Sequence, residues 1–267
     1  GAFLGLGAAV AILHDASQTE ASVGAATEVT EARAVEVEAT YAPHVDAYTH
    51  GVGVGGVAVG AAVSRAEVSG SVRSILGHGV KIGQLQGLTV GSLLVNALIN
   101  LADGAQETAV AQTDGGASSG AVGAVGSDAT AIVNPWVSAY IGGNAHIKTL
   151  QDIGVYATSL ASAQAKARGL NISTAGVGVS LAEAFLTPHI RSYVGQSSVV
   201  NSGGSITVQS RHNTDRQGQL LADMKAEASA WSATGTLVGG GNGADAEADA
   251  SADMDTYVAG GTGSSLQ

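Results

Sequence analysis

Apolar residues recur along this chain at short spacings that repeat at long range. Val23, Leu76, Ile141 and Val194 each stand immediately before a glycine (Gly24, Gly77, Gly142, Gly195), and further aliphatic residues follow six and twelve positions later. The sets are Val23/Val29/Val35, Leu76/Ile82/Leu88, Ile141/Ile147/Ile153 and Val194/Val200/Ile206, each ending in a short alternating segment. Alternation also runs through 161–168, where Ala alternates with Ser, Gln, Lys and Arg, and through 223–230. Period two puts successive side chains on opposite faces of an extended strand. Alanine favours helix intrinsically, but the same alternation at several corresponding positions predicts strands. One stretch departs. In 92–104 the spacing of Leu94, Ala97, Leu98 and Leu101 is helical, so a short helix or an apolar insertion is expected there.

The chain can be laid on itself at an offset of 118 residues, with Val23-Gly24 on Ile141-Gly142 and Leu76-Gly77 on Val194-Gly195. Inside that period Gly24, Gly77, Gly142 and Gly195 are separated by 53, 65 and 53 residues, and Gly260 follows 65 later. At this offset Leu88 and Val90 fall on Ile206 and Val208. A fixed period makes each unit meet a neighbour like itself, so the fold grows along one axis. Residues 1–267 therefore read as one continuous repeat array. The expected class is all-β, a right-handed parallel β-helix (β-solenoid). The alternative is a row of antiparallel β-sandwich units of about 53 and 65 residues, short for independent domains. The opening GAFLGLGAAVAIL lacks the basic leader of a signal peptide and reads as a repeat strand begun in mid-pattern, as in a fragment or processed product.

Small residues change what holds such an array together. There are 39 Gly, only two Phe and 12% charged residues, so close approach of backbones replaces a few large contacts. Gly-rich pieces at 51–60, 120–126 and 237–243 are expected where a second backbone comes near. The three prolines, Pro43, Pro135 and Pro188, open similar phrases (PHVDAYT, PWVSAYI, PHIRSYV), as suits the start of a strand. His44 and His189 then share the slot that Trp136 occupies.

A net charge of −11 and the absence of cysteine narrow the chemistry. The charge disfavours nucleic acid as a partner and electrostatic attachment to anionic membranes, and no apolar run is long enough to span a bilayer as a helix. Disulfides and Cys-based metal sites are excluded. The site candidate is the acidic segment 240–255. Asp245, Glu247, Asp249, Asp253 and Asp255 share odd parity, and carboxylates two apart on a strand, about 6.5–7 Å from each other, can share a calcium ion. The competing reading is a solvated acidic face that blocks edge pairing. The seven His accompany no zinc-protease motif, and the Gly-rich runs contain no phosphate-binding lysine motif. Asn171-Ile172-Ser173 is a formal glycosylation sequon. Tyr140, Tyr193 and Trp136 are read as partly buried anchors in preference to sugar-stacking platforms.

The run 176–210, with SAYIG (138–142), RSYVG (191–195), VRSILG (72–77) and TEASVG (19–24), resembles the repeats of very large secreted bacterial adhesins of the filamentous haemagglutinin and leukotoxin type. The resemblance covers essentially the whole chain. The sequence departs from that pattern in alternating units of 53 and 65 residues and in lacking Tyr at Ser22 and Ile75. The resemblance implies an elongated extracellular parallel β-helix serving adhesion or a surface filament. The leading expectation is a non-enzymatic structural protein, in which the open strand edges of terminal coils point to head-to-tail self-association. Two other functions stay open: a polysaccharide-active enzyme on the same scaffold, and a glycan- or host-binding module using exposed aromatics.

Overall fold

The computed structural model describes residues 3–100, 108–214, 219–221, 224–259 and 265–266. Among these the chain is all-β. It passes through the same series of strands repeatedly, and we call each pass a rung. The first rung is β1 (Leu4–Asp15), β2 (Gln18–Val23), β3 (Glu28–Val29) and β4 (Ala32–Tyr41). The second is β5 (Val45–Val68), β6 (Ser71–Leu76), β7 (Lys81–Ile82) and β8 (Val90–Ile99). The third is β9 (Ala109–Val133), β10 (Trp136–Ile141), β11 (His146–Thr149) and β12 (Ile153–Ser159). The fourth is β13 (Ala163–Leu186), β14 (His189–Val194), β15 (Val199–Ser202) and β16 (Ile206–His212), and the fifth is β17 (Ala226–Ala250), β18 (Asp253–Val258) and β19 (Ser265–Leu266).

Equivalent strands of successive rungs are neighbours in four sheets: β1-β5-β9-β13-β17, β2-β6-β10-β14-β18, β3-β7-β11-β15-β19 and β4-β8-β12-β16. Every pairing between these strands is parallel, for example Val23 with Leu76, Leu76 with Ile141, and Ile141 with Val194. That overturns the antiparallel sandwich alternative, because each strand finds its partner one repeat away and none is paired with its sequence neighbour. The architecture is consistent with a parallel β-solenoid.

The alternation of 53 and 65 residues has a local cause. Ile82 and Leu93 are eleven positions apart, where Val29 and Val35, or Ile147 and Ile153, are six apart. Likewise Ile99 to Ala109 takes ten positions and His212 to Ala226 fourteen, where Tyr41 to Val45 and Ser159 to Ala163 take four. Alternate rungs thus carry insertions at the corner after the fourth sheet. The extra residues between Ile82 and Leu93 shift the alignment of Leu88, which lies outside the strands. Leu93, not Leu88, stands between Val35 and Ile153, and Ile206 stands on Ile153. Gly260 lies outside the described residues; in the structure Val194 pairs with Val258, so Ala259 follows where glycine follows the earlier aliphatics.

The helix expected within 92–104 is not formed. Residues 92–99 belong to strand β8, and 101–104 lie outside the described residues. As a strand the segment puts Leu93, Val95, Ala97 and Ile99 into the core and supplies hydrogen bonds to β4 on one side and β12 on the other. A helix would strand both neighbours' backbone groups.

Two main cores of different texture result, with a small third cluster of Ala58, Ala117 and Val125 inside the folded first sheet. Between the second, third and fourth sheets lies a Val/Ile/Leu cluster that includes Leu76, Ile82, Leu93, Ile141, Ile147 and Ile153, all nearly inaccessible. The first sheet has its own core, dominated by alanine: Ala47, Ala66, Ala111, Ala131, Ala165 and Ala184. Tyr41 packs against both.

The first sheet is folded on itself. Each of its long strands runs outward, breaks register and returns; in β5 the break lies between Gly55 and Val57, and in β13 between Ser173 and Ala175. A methyl placed on Gly53 would run into the Val59 carbonyl, so outgoing and returning arms face each other with no room between them. The hydroxyl of Ser127 donates to the Arg168 carbonyl at 2.6 Å, and that of Ser180 to the Trp231 carbonyl at 2.8 Å, tying the arms together across rungs. The break in β5 also reverses parity: odd positions (Ala47, Thr49) are buried in the outgoing arm, and even positions (Ala58, Ala62, Ser64, Ala66) in the returning arm. Small residues therefore line the inside of this thin wing throughout.

Candidate functional site

The outward face of the outgoing arms carries the most structured candidate. Side chains in parallel register form rows about 4.8 Å apart from strand to strand. One row is His50, Asp114, Arg168 and Trp231, and the next is Val52, Gly116, Leu170 and Ala233. A third is Val54, Ser118, Ile172 and Gly235. Because β9 contributes Gly116 and Ser118 where its neighbours contribute Val52, Val54, Leu170 and Ile172, a trough opens along β9. Its volume is about 360 Å³, with Trp231 closing one corner.

The polar end of the trough has a defined arrangement. The Tyr48 hydroxyl donates to Asp114 Oδ2 at 2.8 Å. This bond to the carboxylate, with a little desolvation and the negative charge itself, holds the Tyr48 phenol above its ordinary pKa. His50 and Arg168 flank Asp114 on the neighbouring strands. Trp231 is half exposed, at 52%. A cation, an imidazole and an acceptor beside an apolar trough suit an extended ligand with one apolar face and one anionic or hydroxylated edge. Among the described residues Asp114 is the one carboxylate lining this trough.

The acidic residues are divided between two places. Asp245, Glu247 and Asp249 share one face of β17 in a stretch exposed on both sides, and the strand ends before Asp253 and Asp255 appear on β18. Asp253 is engaged by His189 Nδ1 at 3.2 Å, and Asp255 accepts from Arg191 at 2.8 Å. Odd parity therefore does not bring the five together. Among the described residues no group of three or more His, Asp or Glu is placed to hold a metal ion.

Aromatic residues form ladders on the second sheet. Tyr140, Tyr193 and Tyr257 stack in sequence, and Trp136 stacks on His189 at 4.3 Å with planes 17° apart. His44 is not in that slot. It precedes β5, in the first sheet, whereas Pro135 and Pro188 precede strands of the second, so similar Pro phrases mark two different corners. Stacking occupies ring faces. Tyr193 is covered on both sides by tyrosines, which removes the faces a sugar would need, while Tyr140 and Tyr193 are partly buried and Trp136 is exposed at 52%.

Two asparagines escaped the sequence reading. Asn100 and Asn213 follow the fourth-sheet strand at each of the two lengthened corners, both with left-handed backbones (φ 58° and 48°). Asn100 Nδ2 donates to the Leu160 carbonyl at 2.7 Å. Asn213 accepts from Ala161 N at 2.8 Å and donates to the carbonyls of Ala161 (3.0 Å) and Met224 (2.8 Å). The signal was present: they lie 113 residues apart, the same offset as Leu93 and Ile206. The sequon at Asn171 is structural, since Asn171 is fully buried and its amide donates to the carbonyls of Gly123 (2.8 Å) and Val177 (3.2 Å). An attached glycan is incompatible with that position.

No family model, no curated protein and no solved structure matches this chain.

Proposed function

We propose that this chain is a non-enzymatic structural segment of an extracellular, cell-surface filament or adhesin, built as a closed right-handed β-solenoid. The observation that carries the reading is the register. Equivalent residues of five successive rungs fall on one another in the second sheet, from Val23 through Leu76, Ile141 and Val194 to Val258. Hydrogen bonds then run along the axis in every sheet, and each added rung extends the molecule without altering the preceding ones. Right-handed winding is supported by the twist preference of parallel strand–connection–strand units. The edges left at a terminal rung favour head-to-tail association. The likeness of the SAYIG and RSYVG phrases to secreted adhesin repeats supports the location and role.

Electron microscopy and fibre diffraction of native material test the proposal. Filaments with a repeat near 4.7–4.8 Å along their axis are expected; globular beads would sink it.

A second reading rests on the trough. The Arg168 guanidinium makes no hydrogen bond or ion pair among the described residues and stands beside the half-exposed Trp231, which favours recognition of an acidic glycan by the scaffold. Binding on a glycan array that is lost in both Trp231→Ala and Arg168→Gln would support it, and binding indifferent to both would remove it.

A further inference from the structure

The wing's interior mixes small apolar side chains, Ala58, Ala62, Ala117 and Val125, with polar ones. Its interior holds Thr49, Ser64, Thr113, Ser127, Asn171 and Ser180, all buried, and the hydroxyls of Thr49, Ser64 and Thr113 have no hydrogen-bond partner there. Its returning arms instead turn branched aliphatics outward. Leu6, Val59 and Val177 stand in one row at 71, 38 and 55% exposure, and Val122, Val179 and Leu181 in adjoining rows at 52, 42 and 41%. A soluble two-layer sheet ordinarily turns branched aliphatics inward.

We infer that this outward face of the returning arms, in β1, β5, β9 and β13, is an interface for a second copy of this chain, packed sheet face to sheet face. Four strands about 4.8 Å apart and four outward rows about 6.8 Å apart make a patch of roughly 500 Å². Two such patches together bury roughly 1,000 Å², which reaches the size at which specific interfaces begin. Its aliphatic rows suit packing against a second sheet, as in an aligned sandwich, and a two-fold operation brings the same residues together from both copies. Asp128 interrupts it; at its margin Arg65 is paired with Glu67, and Glu183, Asp245 and Glu247 add negative charge.

A lipid surface is the rival occupant, and two observations weigh against it. The net charge of −11 repels anionic headgroups. The wing's other side exposes Val52, Val54, Leu170 and Ile172 as well, but the next row holds His50, Asp114 and Arg168, so the wing cannot sink past that polar row into hydrocarbon.

The inference stands apart from the scaffold reading, because head-to-tail growth uses rung edges and lateral pairing uses a sheet face. Sedimentation of the purified chain is expected to give twice the monomer mass of 26.1 kDa. Val177→Asp and, separately, Val59→Asp should raise the dimer dissociation constant at least tenfold while the far-ultraviolet dichroism stays unchanged. The chain lacks cysteine, so Val177→Cys should form an intermolecular disulfide on mild oxidation, and Ile172→Cys on the opposite arm should not. A monomer at every concentration, a dimer indifferent to both Asp substitutions, or monomers that bind phosphatidylcholine vesicles through this face would each overturn the inference. Loss or persistence of filaments in microscopy does not bear on it.

Discussion

Tyr140 and Tyr193 stack with ring centroids 4.7 Å apart and planes within 6° of parallel, a separation that is the strand spacing itself. Tyr257 continues the stack from Tyr193 at 5.1 Å. The backbone register thus positions the rings, and the rings in turn resist a slip of one strand past the next, which would turn them to the other face.

Removing the middle ring should loosen two contacts at once. Tyr193→Ala is expected to destabilise the chain by about 2 kcal/mol, from two stacked pairs worth roughly 0.5–1.5 kcal/mol each. Tyr193→Phe should be near neutral at pH 7. Urea unfolding of the three proteins checks both.

The same ladder sets an alkaline limit. Burial, and then the negative charges Tyr140 and Tyr257 would carry, hold the Tyr193 phenol above its ordinary value of 10.0, with Arg191 and Arg73 opposing weakly. A group whose pKa is raised in the folded state contributes stability that is complete below the unfolded value and is lost as pH rises through the folded one. Melting temperature should therefore decline above pH 10, less steeply in Tyr193→Phe. Absorbance at 295 nm should show Tyr193 titrating late.

His212 sets a limit on the acid side. Burial pushes its imidazole below the ordinary value of 6.5, against a smaller opposing effect of the Ser159 backbone, and its Nδ1 has no hydrogen-bond partner. The unfolded chain takes up a proton near pH 6.5 that the folded chain refuses, so stability should fall as pH drops below 6.5 and level off once the folded imidazole protonates. His212→Gln should flatten this part of the melting-temperature profile.

Asn213 should matter more than its place at a corner suggests. Asn213→Ala leaves the Ala161 amide and the carbonyls of Ala161 and Met224 without their side-chain partner and forces alanine into a left-handed conformation. The expected loss is about 3 kcal/mol. Asn213→Asp keeps the acceptor for Ala161 N and should fall between alanine and the parent in chemical denaturation.

Close approach in the wing can be tested with one added methyl. Gly53→Ala drives a Cβ into the Val59 carbonyl and should cost about 1–3 kcal/mol. Gly120→Ala, at the tip where a Cβ meets nothing within 4 Å, should stay within about 0.5 kcal/mol of the parent. Equal effects at the two positions would show that the arms are not in contact.

Much of this was legible because strand alternation is a local property. The buried run Ala161, Ala163, Ala165 and Ala167 could be read from the chain, as could the aliphatic positions Val23, Leu76, Ile141 and Val194 that stack on one another. In 92–104 helical spacing of Leu94, Ala97, Leu98 and Leu101 coexists with the strand parity of Leu93, Val95, Ala97 and Ile99, and only the neighbouring strands decide between them. The difference at Leu88 has another cause. An insertion of a few residues displaces every later partner while leaving the local pattern intact, so alignment by constant offset placed Leu88 where Leu93 belongs. The trough was hidden for a related reason. His50, Asp114, Arg168 and Trp231 have no common motif, and only the register of four strands makes them a row.

By itself the sequence determined that the chain would be β-structured and repetitive, since alternation and recurrence are carried by each segment's own residues. The tertiary structure decided that partners lie one rung away in parallel. It also decided that the long strands double back, and that the reversal of parity in β5 sends small residues inward and Val59 outward. Those outcomes depend on insertion lengths and chain reversals, which set where backbones meet without leaving a trace in the alternation of any one strand.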